Sequence, residues 1–298
     1  MALKGRSASN ALHGAKTWIK TFPQSIEAHD RLVMVLLAID KTDELKQPLS
    51  ELLRLTPNTQ RAQAIERLST QLRRSNQKTQ VRELAHEVLT PYLAQPETSA
   101  VSLRTLAWLE LRDNRLEPAL GLAKRLIEQG DLNSETGMLL VSLTDRKVVG
   151  AEALLKGLLD QRNLPHVHLA YVQWLVRQQQ HLAALDRLEV LTRVSPELEM
   201  AWLIKGGLEY EENRPEASRL SLEQYLKLAR QSSDSSRNIA QAQLMLAQLA
   251  IQNKRLDQAD SWLSQIDDPA MQWEVHQQRA KIKVEMSGIT AALNWVES

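Results

Sequence analysis

The 298-residue chain has no cysteine, which excludes disulfides, thiolate catalysis and a Cys-based zinc site while fitting any compartment. Phenylalanine occurs once and tyrosine four times, so strand-favouring aromatics are scarce. The apolar residues are mainly Leu and Ala, both good helix formers. Glycine and proline number 10 each, few enough for long helices. With glycine so sparse there is no G-x-G-x-x-G, no G-x-x-x-x-G-K and no G-x-S-x-G, hence neither a phosphate cradle nor a nucleophile elbow. An excess of one charge is missing too: 37 basic against 36 acidic side chains leave +1, no electrostatic reason to expect nucleic acid or a membrane surface. The longest apolar run, Leu32 to Ile39, is about half of the roughly 20 residues a transmembrane helix needs. The opening MALKGRSASN has charge but no apolar stretch behind it and is not a secretory signal.

What is present is one unit written repeatedly, most legibly over residues 165–230. Tyr171 and Val172 lie one turn before Leu175, a polar break follows at Gln178–Gln180, and Ala184, Leu188 and Leu191 lead to Pro196. Thirty-four residues on, Lys205, Gly206, Ser218, Leu222 and Tyr225 stand at matching places, with Trp202 one turn before Gly206. Helix, turn, helix and proline stop at this period resemble the tetratricopeptide repeat. The resemblance implies an all-α fold, a right-handed α-solenoid of tetratricopeptide-like helix hairpins whose accumulated rotation makes a long concave surface.

In chain order, a helix from about Ser9 to Thr21 should bury Ala15, Trp18 and Ile19, as the second half of a repeat. Pairs should follow at about 25–56, 58–95, 98–130, 132–162, 164–195, 198–230, 237–267 and 270–297, in one array over 1–298. Leu32, Val33 and Leu36 should face Leu45, Leu49 and Leu52. Leu103, Leu106 and Ala107 should precede the turn at Asp113–Asn114 and meet Ala119, Ala123 and Leu126, with Gly130 as a left-handed cap. In the next pair Leu139, Leu140 and Leu143 should lie against Ala153, Leu154 and Leu158. The run QSSDSSR, Gln231 to Arg237, is read as a longer loop or helix extension. Ile289, Leu293, Trp295 and Val296 near the end have no polar cap, so the chain reads as a segment of a longer protein or as one whose ends are buried in a homodimer.

No catalytic, cofactor or metal constellation emerges. His166 and His168 are two apart, about 200° around a helix, and cannot converge on one metal without unwinding. Glu209, Glu211 and Glu212 read as a solvated face. Trp18, Trp174, Trp202, Trp262 and Trp295 read as core; Trp108 and Trp273 do not. The tetratricopeptide resemblance implies that set positions of each first helix face the groove. It places there Val101, Arg104, Trp108, Leu111 and Arg112, then His166, Leu169, Gln173, Val176 and Arg177, then Met200, Leu203, Gly207, Tyr210 and Glu211, with Trp273, His276 and Lys283 continuing. Arg104, Trp108, Arg112, Gln173, Arg177, Leu203, Tyr210, Trp273 and His276 are the candidate partner contacts. Aromatic and Arg anchors suit a peptide or protein partner. The family's carboxylate clamp is not matched, because Gln173 and Gly207 stand where its Asn would be.

Residues 160–298 also resemble proteobacterial periplasmic lipoproteins of this repeat type, carried on the outer membrane, which act as adaptors of carboxyl-terminal processing proteases. That resemblance implies a non-catalytic scaffold in the envelope with no cofactor and no direct membrane insertion. A homo-oligomer through terminal repeats remains open. So do a cytoplasmic assembly or secretion chaperone of the same fold and an enzyme with a site built across repeats.

Overall fold

A computed structural model describes residues 2–229, 236–290, 292 and 295, and among them every regular element is helical. The helices are α1 (Ala2–Thr21), α2 (Ile26–Ala38), α3 (Lys46–Leu55), α4 (Asn58–Leu72), α5 (Lys78–Leu89), α6 (Pro96–Arg112), α7 (Leu116–Glu128), α8 (Ser134–Asp145) and α9 (Ala151–Gln161). After them come α10 (Pro165–Arg177), α11 (His181–Val194), α12 (Glu199–Glu211), α13 (Pro215–Ala229), α14 (Ser236–Gln252), α15 (Leu256–Ser264) and α16 (Gln272–Ser287). Short 3-10 turns at Thr42–Glu44 and Thr90–Ala94 precede α3 and follow α5. The chain is an all-α solenoid of tetratricopeptide-like helix hairpins, as its Leu and Ala content and its period predict. It divides into two compact units, residues 1–167 and 168–298, with the boundary inside α10.

One turn closes most hairpins. Asp40, Asn114, Lys147, Gln179, Asn213 and Lys254 each have a positive φ, between 53° and 60°. At Asn114 the N–H donates to Leu111 O at 3.1 Å, and the N–H of Arg115 donates to Glu110 O at 2.8 Å. The same two bonds recur at Asn213 and Arg214 and at Lys254 and Arg255. A single left-handed residue thus stops the helix and satisfies two of its last carbonyls. None of the six is β-branched, the class that tolerates this conformation least. Gly130, φ 76°, ends α7 in the same way, its N–H on Ile127 O.

In the first unit Leu32, Val33 and Leu36 are buried with Leu45, Leu49 and Leu52, and α6 packs on α7 with Leu103, Leu106, Ala107, Ala119, Ala123 and Leu126 all buried, as expected. Expectations for two helices need correction. Helix α1 begins at Ala2 rather than near Ser9, and Trp18 is 41% exposed. The inward stripe runs through Leu12, Ala15 and Ile19, and Trp18 lies off it. In α9, Ala153 is exposed and Leu154 half-buried; the core takes Ala151, Leu155, Leu158 and Leu159. Gly150, φ 88°, starts the helix at Ala151, and counting four and seven residues from there selects 155 and 158.

In the second unit α12 and α13 touch through small residues. A Cβ on Gly206 would meet Leu222 Cγ at 2.7 Å, and Ser218 Oγ donates to Gly206 O at 2.7 Å. Glu209, expected on a solvated face, is 5% exposed and accepts from Ser221 Oγ at 2.6 Å. Its position two residues before the helix end turns it under α13, where only a hydrogen-bonded carboxylate is tolerated. Trp174 is buried, while Trp202 and Trp262 are half-buried against the local cores. Of QSSDSSR, residues 231–235 lie outside the described residues and Ser236 already opens α14. Leu293 and Val296 lie outside them as well.

Candidate functional site

Helices α4, α6 and α8 are the first helices of three successive hairpins, and α6 packs on both of the others. Their shared face holds a cavity of about 590 Å³. Thr70, Arg73 and Arg74 line it from α4 and the turn after it, Trp108, Leu111 and Arg112 from α6, and Ser142, Asp145 and Arg146 from α8 and its turn. Trp108 and Arg112 are four residues apart and therefore share a helix face.

Three of the four guanidiniums are held by neutral groups. Arg73 sits over the Trp108 ring, 5.2 Å from its centroid, a cation–π contact. Arg112 donates to Leu72 O at 3.3 Å and also to Ser75 O, the first the last carbonyl of α4 and the second in the turn after it. Arg146 Nη1 donates to Asn114 Oδ1 at 3.0 Å, so the left-handed turn of one hairpin positions a charge of the next. The Trp108 Nε1 is buried without an acceptor among the described residues; the ring is oriented by packing and by Arg73.

Arg104 lies two turns before Arg112 on α6 but is not available to a partner in the way its register implies. Its Nη1 donates to Asp131 at 2.7 and 2.9 Å, and its Nη2 donates to Glu66 at 3.0 Å. Burial alone would lower its pKa, but these hydrogen bonds outweigh burial and raise it. It is a fixed cation that ties α6 to α4 and to the start of α8.

The remaining candidates lie in the second unit. Gln173 and Arg177 are exposed on α10. Leu203, expected in the groove, is 8% exposed and belongs to the core with Leu222 and Leu246; α14 covers the face that register alone leaves open. Tyr210 is half-buried, its hydroxyl accepting from Gln252 Nε2 at 3.3 Å. Trp273 is 75% exposed. His276 is exposed, with Nδ1 at 2.7 Å from Gln272 O and its ring 6.3 Å from that of Trp295. His166 is exposed and His168 buried. No group of three or more His, Cys, Asp or Glu among the described residues stands close enough to hold a metal, and none of the described helices is long and apolar enough to cross a membrane.

Sequence reasoning found Trp108, Leu111 and Arg112 and missed Arg73, Arg74 and Arg146. The first two follow α4, whose weak pattern hides the repeat register, and the third lies in a turn, where periodicity says nothing. The adjacent Arg73-Arg74 pair at the end of a first helix was the available signal.

No protein-family model and no curated protein matches the chain. Solved structures are similar to it. One is a thermophilic TPR protein of Thermus thermophilus, at 21% identity over 75% of this chain and 99% of that one, with a TM-score of 0.28. Another is the C-terminal part of a TPR repeat-containing protein of Cytophaga hutchinsonii, at 10% identity, 88% and 90% coverage and a TM-score of 0.44. A third is yeast Tom70, at 14% identity and a TM-score of 0.44; 98% of this chain aligns, spanning 63% of that protein. Likenesses at this level carry nothing about partner or activity.

Proposed function

We propose that the chain is a non-catalytic scaffold that holds a segment of a partner protein against the first-helix face of its hairpins. The observation that carries this reading is the cavity between α4, α6 and α8, where Trp108 and four guanidiniums meet. Arg and Trp are the side chains that most often anchor an interface, because each combines a large contact area with directional polar groups. A concave face of about 590 Å³ admits several side chains of an extended segment.

The resemblance of residues 160–298 to envelope lipoprotein adaptors supports a finer form of this proposal. In it, the protein lies in the periplasm, associated with the outer membrane, and presents substrates to a carboxyl-terminal processing protease. Affinity capture from a bacterial envelope extract, with wild type and Trp108→Ala as baits, tests both levels. Enrichment of a processing protease or cell-wall hydrolase by wild type, lost with Trp108→Ala while helicity by circular dichroism is retained, is the expected result. Capture of cytoplasmic partners alone would favour the assembly-chaperone reading, and capture indifferent to Trp108 would remove the cavity from the interface.

A further inference from the structure

The cavity walls also indicate which chemistry occupies them. Among the described residues none of Arg73, Arg74, Arg112 and Arg146 is in an ion pair with a carboxylate; Arg73 faces an indole ring, Arg112 two backbone carbonyls and Arg146 an amide oxygen. Arg104 on the same helix is the contrast, since two carboxylates hold it. The protein therefore holds Arg104 in direct ion pairs and leaves four arginines clustered with one lining acid, Asp145, while Arg112 also acts at longer range on Asp40. In a chain whose net charge is only +1, that cluster is a local feature and not a reflection of composition.

We propose that this cavity binds an acidic, extended segment of the partner protein, with carboxylates reaching Arg74 and Arg146 and an apolar residue between them over Leu111. The inference rests on the scaffold reading and specifies its ligand. Clustered guanidiniums repel one another most where solvent is partly excluded, and carboxylates from a ligand relieve that repulsion through charge-assisted, bidentate bonds. Packed helices lie about 8–10 Å apart, and an extended chain rises roughly 3.3 Å per residue. Arg74 and Arg146 stand two such spacings apart, with α6 between them, so acidic side chains six positions apart, about 20 Å and on the same face of an extended chain, match them. A single-stranded nucleic acid is disfavoured because its bases need an open aromatic face, and Arg73 already covers the Trp108 ring.

The test is fluorescence anisotropy on the full chain with a labelled peptide Gly-Glu-Ala-Leu-Ala-Leu-Ala-Glu-Gly, whose Glu and Leu side chains share one face when the peptide is extended. Its counterpart with both Glu replaced by Gln and a labelled deoxythymidine decamer serve as comparisons. The acidic peptide is expected to bind at low salt, to lose about tenfold or more in affinity to the R74E/R146E variant, and to weaken as salt shortens the Debye length below about 8 Å. Arg74 is exposed, so R74E alone, with an unchanged melting curve, checks that the loss is not unfolding. Equal binding of the Gln peptide, unaltered affinity in R74E/R146E, or tighter binding of the decamer would overturn the assignment. Envelope capture with R74E/R146E as bait separates the two levels. A partner retained by the variant leaves the scaffold standing without the acidic ligand, whereas no partner on wild type removes the scaffold reading itself.

Discussion

In hairpin α6–α7 residues 110–115 read ELRDNR, and in α12–α13 residues 209–214 read EYEENR, with Asn114 and Asn213 in the same left-handed conformation. Residues 101–126 and 200–225 correspond one to one, so their differences are substitutions within a single plan. Where the first has Ala107 facing Ala119 and Ala123, the second has Gly206 facing Ser218 and Leu222. A larger residue on one helix is matched by a smaller one on the other, as close packing requires. The buried glutamates differ more. Glu110, 3% exposed, meets His86 at 2.6 Å and Arg82 at 3.9 Å from the preceding hairpin, and Arg115 at 3.1 Å. Glu209 is held within its own hairpin by Ser221 and Lys205, at 2.6 and 3.6 Å. The same turn thus sews hairpin to hairpin in the first unit and closes a single hairpin in the second. The face differs in parallel: Trp108 and Arg112 correspond to Gly207 and Glu211.

The largest expected effect breaks the seam. Arg82→Ala removes a nearly buried cation shared by Glu110 and Asp113 and should cost about 3 kcal/mol in urea unfolding. Lys205→Ala, at the looser pair, should cost less than about 1 kcal/mol. Equal losses would erase the contrast.

Next comes the volume exchange. Gly206→Ala should destabilise by about 1 to 2 kcal/mol, because overpacking against Leu222 outweighs the gain of roughly 1 kcal/mol in helix propensity. Adding Leu222→Ala recreates the Ala107/Ala123 arrangement and should show favourable coupling in a double-mutant cycle; additivity would contradict the size-matching account.

A smaller effect concerns pH. Hydrogen bonds from Arg82, and then from Thr79, hold the Asp113 carboxyl below its usual range, with burial opposing them. A depressed folded pKa gives stability that is present above the unfolded value, about 3.9, and is lost as pH falls through the folded one. Between pH 5 and 3 wild type should therefore lose more stability than Asp113→Asn, and parallel acid curves would dissociate Asp113 from the seam. Smallest of all, Trp273→Ser at an exposed position should leave the melting midpoint near wild type, within about 0.5 kcal/mol.

The hairpins were legible in the sequence wherever apolar spacing and small residues coincide, as at Leu103, Leu106, Ala107 and Gly206. Legibility failed where register depends on a local event. Gly150 resets α9 and moves the core from Ala153 and Leu154 to Leu155 and Leu159. Trp18 belongs to a helix whose stripe it only flanks, and size alone does not bury it. Of the candidate site, Trp108 and Arg112 follow from register. Leu203 and Arg104 do not behave as register implies, because a covering helix and two carboxylates act on them from distant parts of the chain. Arg73, Arg74 and Arg146 reach the cavity from a helix end and two turns, which periodicity cannot place.

Amide hydrogen exchange of the full chain, with and without the captured partner, tests most directly the claim that binding resides on the α4, α6 and α8 face. New protection should appear in the last turns of those three helices and in the turns after them, with α12 to α16 unchanged. Protection confined to α12 to α16 would contradict it and move the interface to the second unit.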